Sequence, residues 1–287
     1  MNFRTDLALE RCENLDEKSF EGITMDVFEK NGARITRIDV VNKRGEKAVG
    51  KPQGKYVTVE VAPFTHQAQF IDDSLESVAQ EIRRIIPENG SVLVAGLGNM
   101  SITPDALGPK CASMIFATRH ITGELLRSTG LSGLRCVTSV ATGVAGETGA
   151  EAGEVIKGIV QTVTPDIVIT VDALAARNVE RLGRTIQMCD TGIIPGSGVG
   201  NSRQEISEKT IGVPVISIGV PTVVDAATLI MDCTGDESFV SEKAESMMVT
   251  PREVDLMIER AAKLTALAIN RALQPDISPE DLLILTS

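Results

Sequence analysis

Four short aliphatic runs, separated by segments with helical periodicity, constrain the fold of this chain more than any other feature. The runs are residues 91–95 (SVLVA), 135–141 (RCVTSVA), 166–171 (DIVITV) and 213–220 (VPVISIGV). Helical patterns lie between them, around 105–127, 151–163 and 174–182. Strands that alternate with helices usually form a parallel sheet that is covered on both faces. The sequence therefore predicts an α/β fold with a mainly parallel, twisted sheet flanked by helices.

A β-rich segment precedes this alternating region. Residues 34–41 (RITRIDVV) and 55–61 (KYVTVEV) alternate polar and apolar side chains, which is typical of strands. One helix is predicted at 72–86 and another from about Pro251 to residue 273, with Thr250 as its N-cap. We find no internal repeat, so we expect a single domain over residues 16–287 with a β-rich addition at about 30–65.

The charge balance excludes several classes of partner. The chain has 28 Lys and Arg against 39 Asp and Glu, a net charge of −11, which opposes binding to nucleic acids and anionic membranes. No run of about 18 apolar residues could span a membrane, and the N-terminus has no signal-peptide core. The five cysteines are scattered without a CxxC pair, which is typical of reduced thiols. We therefore expect a cytoplasmic protein without a direct nucleic-acid or membrane partner.

Two acidic residues follow predicted strands. Asp105 lies in the loop after the run at 91–95, and Asp172 directly follows the run at 166–171. Ligands of open α/β sheets bind at the carboxyl ends of the strands. Each acid could instead stabilise the start of a following helix. If both face one crevice, one carboxyl group would keep its proton while the other activates water.

Other motifs are weaker. The glycine loops that contain Gly143 and Gly146, and Gly196 and Gly198, could donate backbone N–H groups to a peptide or to an oxyanion. The turn at 96–99 resembles the start of a dinucleotide fingerprint, but position 101 is Ser where that motif needs Gly. The histidines, His66 and His120, form no HExxH motif. We therefore expect no cofactor and no metal site.

The chain resembles the germination proteases of spore-forming Firmicutes in segments that span most of its length. These segments are GLGN at 96–99, TPDALGP at 103–109, VDALAAR at 171–177, DTG at 190–192, PGSGVGN at 195–201, GVPTVVD at 219–225 and MVTPREVD at 248–255. The resemblance implies an endopeptidase of aspartic type that degrades small acid-soluble spore proteins at germination. It also implies a homotetramer in the spore core, with the fold of the hydrogenase-maturation endopeptidases.

The same resemblance implies roles for particular residues. Asp105 and Asp172 correspond to the acids regarded as catalytic in the family. Asn99 and the four loop glycines, Gly143, Gly146, Gly196 and Gly198, are the predicted substrate-binding residues.

The family's proteases are made as zymogens that remove their own leader. The stretch from Arg4 to Glu10 (RTDLALE) resembles the acidic and apolar sites that the family cleaves. We therefore predict a pro-segment at residues 1–15, with self-cleavage just after Glu10 or within a few residues of it.

Two other functions stay open at this point. One is a metal-dependent processing peptidase of the hydrogenase-maturation kind, in whose members two acids and a His bind the metal. This sequence has no obvious counterpart of that His. The other is a non-enzymatic α/β module that binds a nucleotide at the turn 96–99.

Overall fold

The computed structural model describes residues 5–13, 21–66, 71–122, 133–200 and 203–286. The strands are β1 (Ile23–Lys30), β2 (Ala33–Val40), β3 (Gly54–Glu60), β4 (Val92–Leu97), β5 (Val137–Gly143), β6 (Ile167–Ala176), β7 (Thr185–Cys189), β8 (Val215–Asp225) and β9 (Met248–Val249). The helices are α1 (Ala8–Cys12), α2 (Lys43–Val49), α3 (Asp73–Ile85), α4 (Leu107–Ser113), α5 (Ala145–Thr148), α6 (Ala152–Val163), α7 (Glu208–Ile211), α8 (Ala226–Thr234), α9 (Glu242–Glu245), α10 (Val254–Leu273) and α11 (Pro279–Leu285).

One mixed sheet organises the described residues. Its order is β1-β2-β3-β7-β8-β6-β4-β5, and β9 pairs with β8. The four strands predicted from the aliphatic runs, β5, β4, β6 and β8, are mutually parallel. The remaining strands pair antiparallel, and β7 joins the N-terminal β1–β3 region to β8. The predicted α/β class is thus confirmed, and the β-rich addition belongs to the same sheet.

Helices cover both faces of the sheet, as expected for aliphatic parallel strands. One face of β6, with Ile167, Ile169 and Val171, packs in the core that includes α3, α4 and α10. The opposite face, with Val168, packs against Ile156 of α6 and residues of α7. Among the described residues, no helix is both long and apolar enough to cross a membrane.

Local sequence signals set several helix ends. The Asp72 carboxylate accepts hydrogen bonds from two backbone N–H groups at the start of α3, as an N-cap does. Glu151 and Glu154 form a capping box at the start of α6. The last long helix begins at Val254 instead of Pro251, and its N-cap position is Glu253, so the prediction that Thr250 caps this helix is wrong.

The prediction of a helix at 174–182 is also wrong. Strand β6 continues to Ala176, because its pairing with β8 extends to Val224 and buries both strand ends. A single 3-10 turn, Val179–Arg181, follows it. Sequence periodicity over so short an apolar segment does not distinguish a strand from a helix, and here tertiary pairing decides.

The helix predicted at 105–127 is much shorter than expected. Only Leu107–Ser113 is helical, and the part at 123–127 lies outside the described residues. The buried Asn270 side chain accepts a hydrogen bond from Phe116 N (2.9 Å) and donates one to Met114 O (2.9 Å). These bonds satisfy the backbone of the chain as it leaves α4 in a non-helical conformation.

Candidate active site

The carboxyl ends of three parallel strands meet at one edge of the sheet. In the pairing of β4 with β6, Gly96 aligns with Val171, and in the pairing of β4 with β5, Leu97 aligns with Gly143. Asp172 therefore lies one residue beyond the last pair of β4 and β6. Asp105 ends a 3-10 turn, Thr103–Asp105, which follows β4. This edge is where open α/β sheets bind ligands.

Asp172 is a buried acid within a strand, with only 5% of its surface exposed. Alternate residues of a strand share a face, so its side chain lies on the same face as Val168 and Thr170. One carboxylate oxygen, Oδ1, accepts a hydrogen bond from Ala173 N (2.9 Å). Burial raises the pKa of Asp172 well above its usual value, and the nearby charges of Asp105 and Asp6 raise it further.

Asp105 is a partly buried acid that bonds back to the preceding loop. Its Oδ2 accepts a hydrogen bond from Asn99 N (2.7 Å). Burial raises the pKa of Asp105 and the charge of Glu147 adds to this, while the hydrogen bond from Asn99 acts in the opposite direction. The turn that follows β4 and the 3-10 turn that ends at Asp105 approach each other closely. This approach requires glycine at position 98, since a Cβ there would lie 2.1 Å from Asp105 O.

Neither acid has the helix-capping role that the sequence also allowed. Asp172 belongs to a strand, and α4 begins after Ala106, which makes no side-chain capping bond. The charge of Asp105 raises the pKa of Asp172, and two neighbouring acids of this kind can share one proton. The arrangement is therefore suited to general acid and base chemistry.

The predicted substrate-binding residues lie in two places. Three belong to the loops that follow β4 and β5: Asn99 donates its backbone N–H to Asp105, Gly143 ends β5 with a φ of 67°, and Gly146 is exposed in α5. Gly196 and Gly198 flank Ser197 on the loop that contacts the N-terminal segment. Their role in substrate binding stays a prediction.

Asp6, which belongs to the predicted pro-segment, is a third acid beside the pair. Its backbone N–H donates to Ala175 O (3.0 Å), and its Oδ2 accepts from Ala175 N (2.9 Å). Its Oδ1 accepts a hydrogen bond from Ser197 Oγ (2.7 Å). The only signal in the sequence was the position of Asp6 within RTDLALE, since its contacts are 169 positions away.

Glu10, the predicted processing residue, is buried and anchors this segment. Its carboxylate accepts hydrogen bonds from Arg177 N (2.7 Å) and Asn178 N (2.9 Å) and from the Thr5 hydroxyl. Arg181 Nη1 lies 3.4 Å from the same carboxylate. Residues 5–13, hereafter the leader, are thus fixed to the end of β6, whereas residues 1–4, 14 and 15 of the predicted pro-segment lie outside the described residues.

A cavity of about 630 Å³ opens beside the leader. Its lining includes Asp6, Lys51, Leu174, Gln187, Ser197 and Gly219. Burial lowers the pKa of Lys51, while the nearby Asp6 carboxylate acts in the opposite direction. In the parts of the chain that the structure describes, no three His, Cys, Asp or Glu side chains are grouped as metal ligands would be.

Comparison with known proteins places the chain among peptidases. The family model described as germination protease matches residues 4–236. The germination protease of Clostridium perfringens (strain ATCC 13124) is 40% identical, over 98% of this chain and 98% of that protein. The germination protease of Caldanaerobacter subterraneus subsp. tengcongensis is 41% identical over 98% and 97%, and that of Priestia megaterium is 34% identical over 97% and 95%.

Among solved structures, the chain is similar to the [NiFe] hydrogenase maturation protease HycI from Thermococcus kodakarensis KOD1. The identity is 18%, the TM-score is 0.38, and the match covers 66% of this chain and 98% of that chain.

Proposed function

The chain belongs to the germination protease family, and from this membership we propose that Asp105 and Asp172 are the catalytic pair of an aspartic-type endopeptidase. The observation that supports this most directly is the environment of Asp172. It is buried in β6, one residue beyond the last pair of β6 with β4, and its pKa is raised by burial and by the charge of Asp105. Such a pair keeps one proton over a wide range of pH.

The two acids have different roles in the proposed reaction. Asp172 is the more buried acid and holds the proton. Asp105, whose carboxylate is stabilised by the Asn99 N–H, accepts a proton from water as the water oxygen attacks the substrate carbonyl carbon. Asp172 donates its hydrogen to the carbonyl oxygen in the tetrahedral intermediate. When the C–N bond breaks, the leaving nitrogen takes up the proton that Asp105 received, and one hydroxyl of the intermediate returns a proton to Asp172 as the product carboxyl group forms.

The proposed substrates are small acid-soluble spore proteins, degraded in the spore core when the spore germinates. The negative net charge of −11 supports a protein substrate over a nucleic-acid one. The family resemblance further suggests that the active enzyme is a homotetramer.

The intact chain is proposed to be a zymogen whose leader occupies the substrate position. Asp6 supports this, since its charge contributes to the raised pKa of Asp172 and its main chain pairs with the end of β6. Within the predicted window around Glu10, these contacts favour a scissile bond next to Asp6, because the Glu10 carboxylate is occupied in anchoring the leader. Gly143, Gly146, Gly196 and Gly198 are proposed to face the bound peptide.

A cleavage assay tests this function. Purified full-length protein is first left to process itself, it is then incubated with a small acid-soluble spore protein, and the products are mapped by mass spectrometry. We expect a few discrete cuts next to acidic residues, with no loss of rate on addition of a chelator. Loss of activity with chelator would instead identify the metal-dependent processing peptidase. Absence of any cut, together with nucleotide binding in calorimetry, would identify the non-enzymatic module.

A further inference from the structure

We propose that Ser197 and Gln187 are substrate-recognition residues. In this assignment, the Ser197 hydroxyl and the Ala175 N–H form a subsite for an acidic side chain. The Gln187 carboxamide holds the peptide main chain on the carboxyl side of that acid. The proposal rests on the proposed function, because it takes leader residues 5–8 as occupants of the substrate groove.

The acid subsite is formed by two neutral donors that converge on one carboxylate. Ser197 Oγ and Ala175 N donate to the two different oxygens of Asp6, at 2.7 Å and 2.9 Å. The Ala175 N–H is free to do so because β4 ends beside Val171, which leaves the last part of β6 without a strand partner on that side. Hydrogen bonds from these donors to a charged carboxylate are stronger than those to a neutral amide side chain, so the site favours an acid.

The absence of a side chain at Gly198 leaves room for the carboxylate in the subsite. A Cβ at position 198 would lie 2.1 Å from Asp6 Oδ2 and 2.7 Å from the Ala175 Cβ. The backbone of the loop can therefore approach the acid closely only because residue 198 is glycine.

Gln187 holds the main chain on the carboxyl side of the acid. Its Nε2 donates to Asp6 O (3.0 Å), and its Oε1 accepts from Ala8 N (2.9 Å). These are the bonds that a neighbouring strand would make, and they do not depend on the peptide's side chains. Gln187 is only 6% exposed. A carboxamide buried to this extent needs a peptide or water to satisfy it once the leader departs.

The residue between these two bonds enters an apolar pocket. Leu7 is fully buried and packs with Leu174 and Ala176, with Leu182 and Ile193 at the edge. The acid subsite, the main-chain contacts and this pocket together select an acidic residue followed by an apolar one. None of these residues is placed in the reaction itself, so Ser197 and Gln187 are specificity and positioning residues.

The test uses two peptides that differ at one side chain. The first has the sequence of residues 2–13, and the second carries Asp6→Asn in the same sequence. The protein and its variants are first incubated to remove their own leader, cleavage of both peptides is followed by mass spectrometry, and the ratio of the two kcat/KM values is compared. This ratio cancels differences in the fraction of active enzyme between preparations.

We expect the wild-type protein to prefer the acidic peptide by about tenfold or more, since hydrogen bonds to a charged group have that strength. Ser197→Ala should lower this ratio by about tenfold, and Ser197→Thr, which keeps a hydroxyl, should restore most of it. Gln187→Leu should lower kcat/KM for both peptides by about tenfold and leave their ratio unchanged. Ser246→Ala, which removes an exposed hydroxyl bonded to Lys243 O, is the matched control and should change neither quantity.

The outcomes separate two failures. If the wild-type protein cleaves and discriminates, but folded Ser197→Ala discriminates equally well, the acid-subsite assignment is wrong while the proposed function stands. If Gln187→Leu cleaves both peptides at the wild-type rate, the main-chain role of Gln187 is wrong. If the wild-type protein cleaves neither peptide nor any spore protein, the proposed function itself fails.

Discussion

At the scale of single residues, the surroundings of Asp172 differ most from those of an ordinary aspartate. The acid is buried, its carboxylate accepts a hydrogen bond from Ala173 N, and Asp105 and Asp6 both add negative charge nearby. Burial and the charges of Asp105 and Asp6 disfavour ionisation of Asp172, and the hydrogen bond from Ala173 N only partly offsets them. A folded protein retains so unfavourable a group when its chemistry is needed for function, as in many active sites.

The first prediction concerns the stability of Asp172→Asn. The pKa of Asp172 is higher in the folded than in the unfolded chain, so its contribution to stability is present at low pH and is lost as the pH rises through the folded-state pKa. Asn keeps the acceptor for Ala173 N and never ionises. In thermal denaturation, we therefore expect the variant to gain stability over the wild type as the pH rises.

Asp166→Asn is the control for this experiment, because it should behave in the opposite way. Asp166 is exposed, and hydrogen bonds from Ser91 lower its pKa. Its contribution to stability is present above the unfolded-state pKa and is lost as the pH falls through the folded-state pKa. This variant should be less stable than the wild type at neutral pH and equal to it in acid. If the plot of stability against pH for Asp172→Asn is parallel to that of the wild type, the pKa of Asp172 is not raised by folding.

The second prediction concerns the cysteines. Burial raises the pKa of Cys12 to about 11 and also raises the pKa of Cys111 and Cys189, so these three thiols are poor nucleophiles. Cys136 and Cys233 are exposed. Iodoacetamide should label the exposed pair, as located by mass spectrometry, without loss of peptide cleavage. Complete inactivation by labelling one cysteine of a folded protein would point to a thiol mechanism instead.

At the scale of elements, the leader and the loop at 196–200 form one unit with the end of β6. The sequence indicated only that RTDLALE resembles a cleaved acidic and apolar site. In the structure, Asp6 and Leu7 precede the helix, and α1 begins at Ala8. The residues that the leader contacts could not be predicted from the sequence, because the pairing of Asp6 with Ala175 depends on where β4 ends in the folded sheet.

The third prediction concerns self-processing. A lower pH increases protonation of Asp172, whose pKa is raised, so leader removal should speed up from alkaline to mildly acidic pH. It should slow again once Asp105 is also protonated. The measurement is the N-terminal sequence of full-length protein after incubation at each pH. We expect a new terminus within residues 5–15, next to Asp6.

Two variants control the processing experiment. Asp105→Asn should keep its original terminus at every pH, whereas Asp166→Asn, which removes an exposed acid at the opposite, amino end of β6, should process like the wild type. Processing that persists in Asp105→Asn, or a new terminus far from the leader, would show that another protease or another site is responsible. Full activity in a chain that still begins with Met1 would also contradict the zymogen proposal.

At the scale of the whole molecule, the sequence predicted the parallel half of the sheet better than the antiparallel half. The runs that became β4, β5, β6 and β8 are aliphatic because both sheet faces are covered there. Strand β1 has mostly exposed side chains, and β7 has only five residues, so neither has a clear periodic pattern. Antiparallel pairing through β7 depends on contacts distant in sequence, which local patterns do not encode.

The candidate site, like the sheet, could be predicted only in part from the sequence. Asp105 and Asp172 follow strands in the sequence, so their meeting at one sheet edge could be expected. The contributions of Asp6, Glu147, Ser197 and Gln187 depend on how separate loops fold against each other. Asp6 and Ser197 lie in the motifs RTDLALE and PGSGVGN, but neither motif predicts that the two residues meet.

The fourth prediction concerns assembly. The family resemblance suggests a homotetramer, and light scattering after size-exclusion chromatography measures the mass directly. We expect four times the chain mass of 30.6 kDa for the wild type and for Asp105→Asn and Asp172→Asn. A mass of one chain for active wild-type protein would exclude the tetramer as a requirement for activity.

The central claim is that Asp105 and Asp172 together cleave peptide bonds, and the cleavage rate of the two single variants tests it most directly. Wild-type protein, Asp105→Asn and Asp172→Asn are incubated with the same small acid-soluble spore protein, and products are counted by mass spectrometry. Circular dichroism confirms that each variant is folded. The account predicts that each substitution lowers the rate by about a hundredfold or more, as expected for loss of a general acid or base. Near wild-type turnover in either folded variant would contradict it.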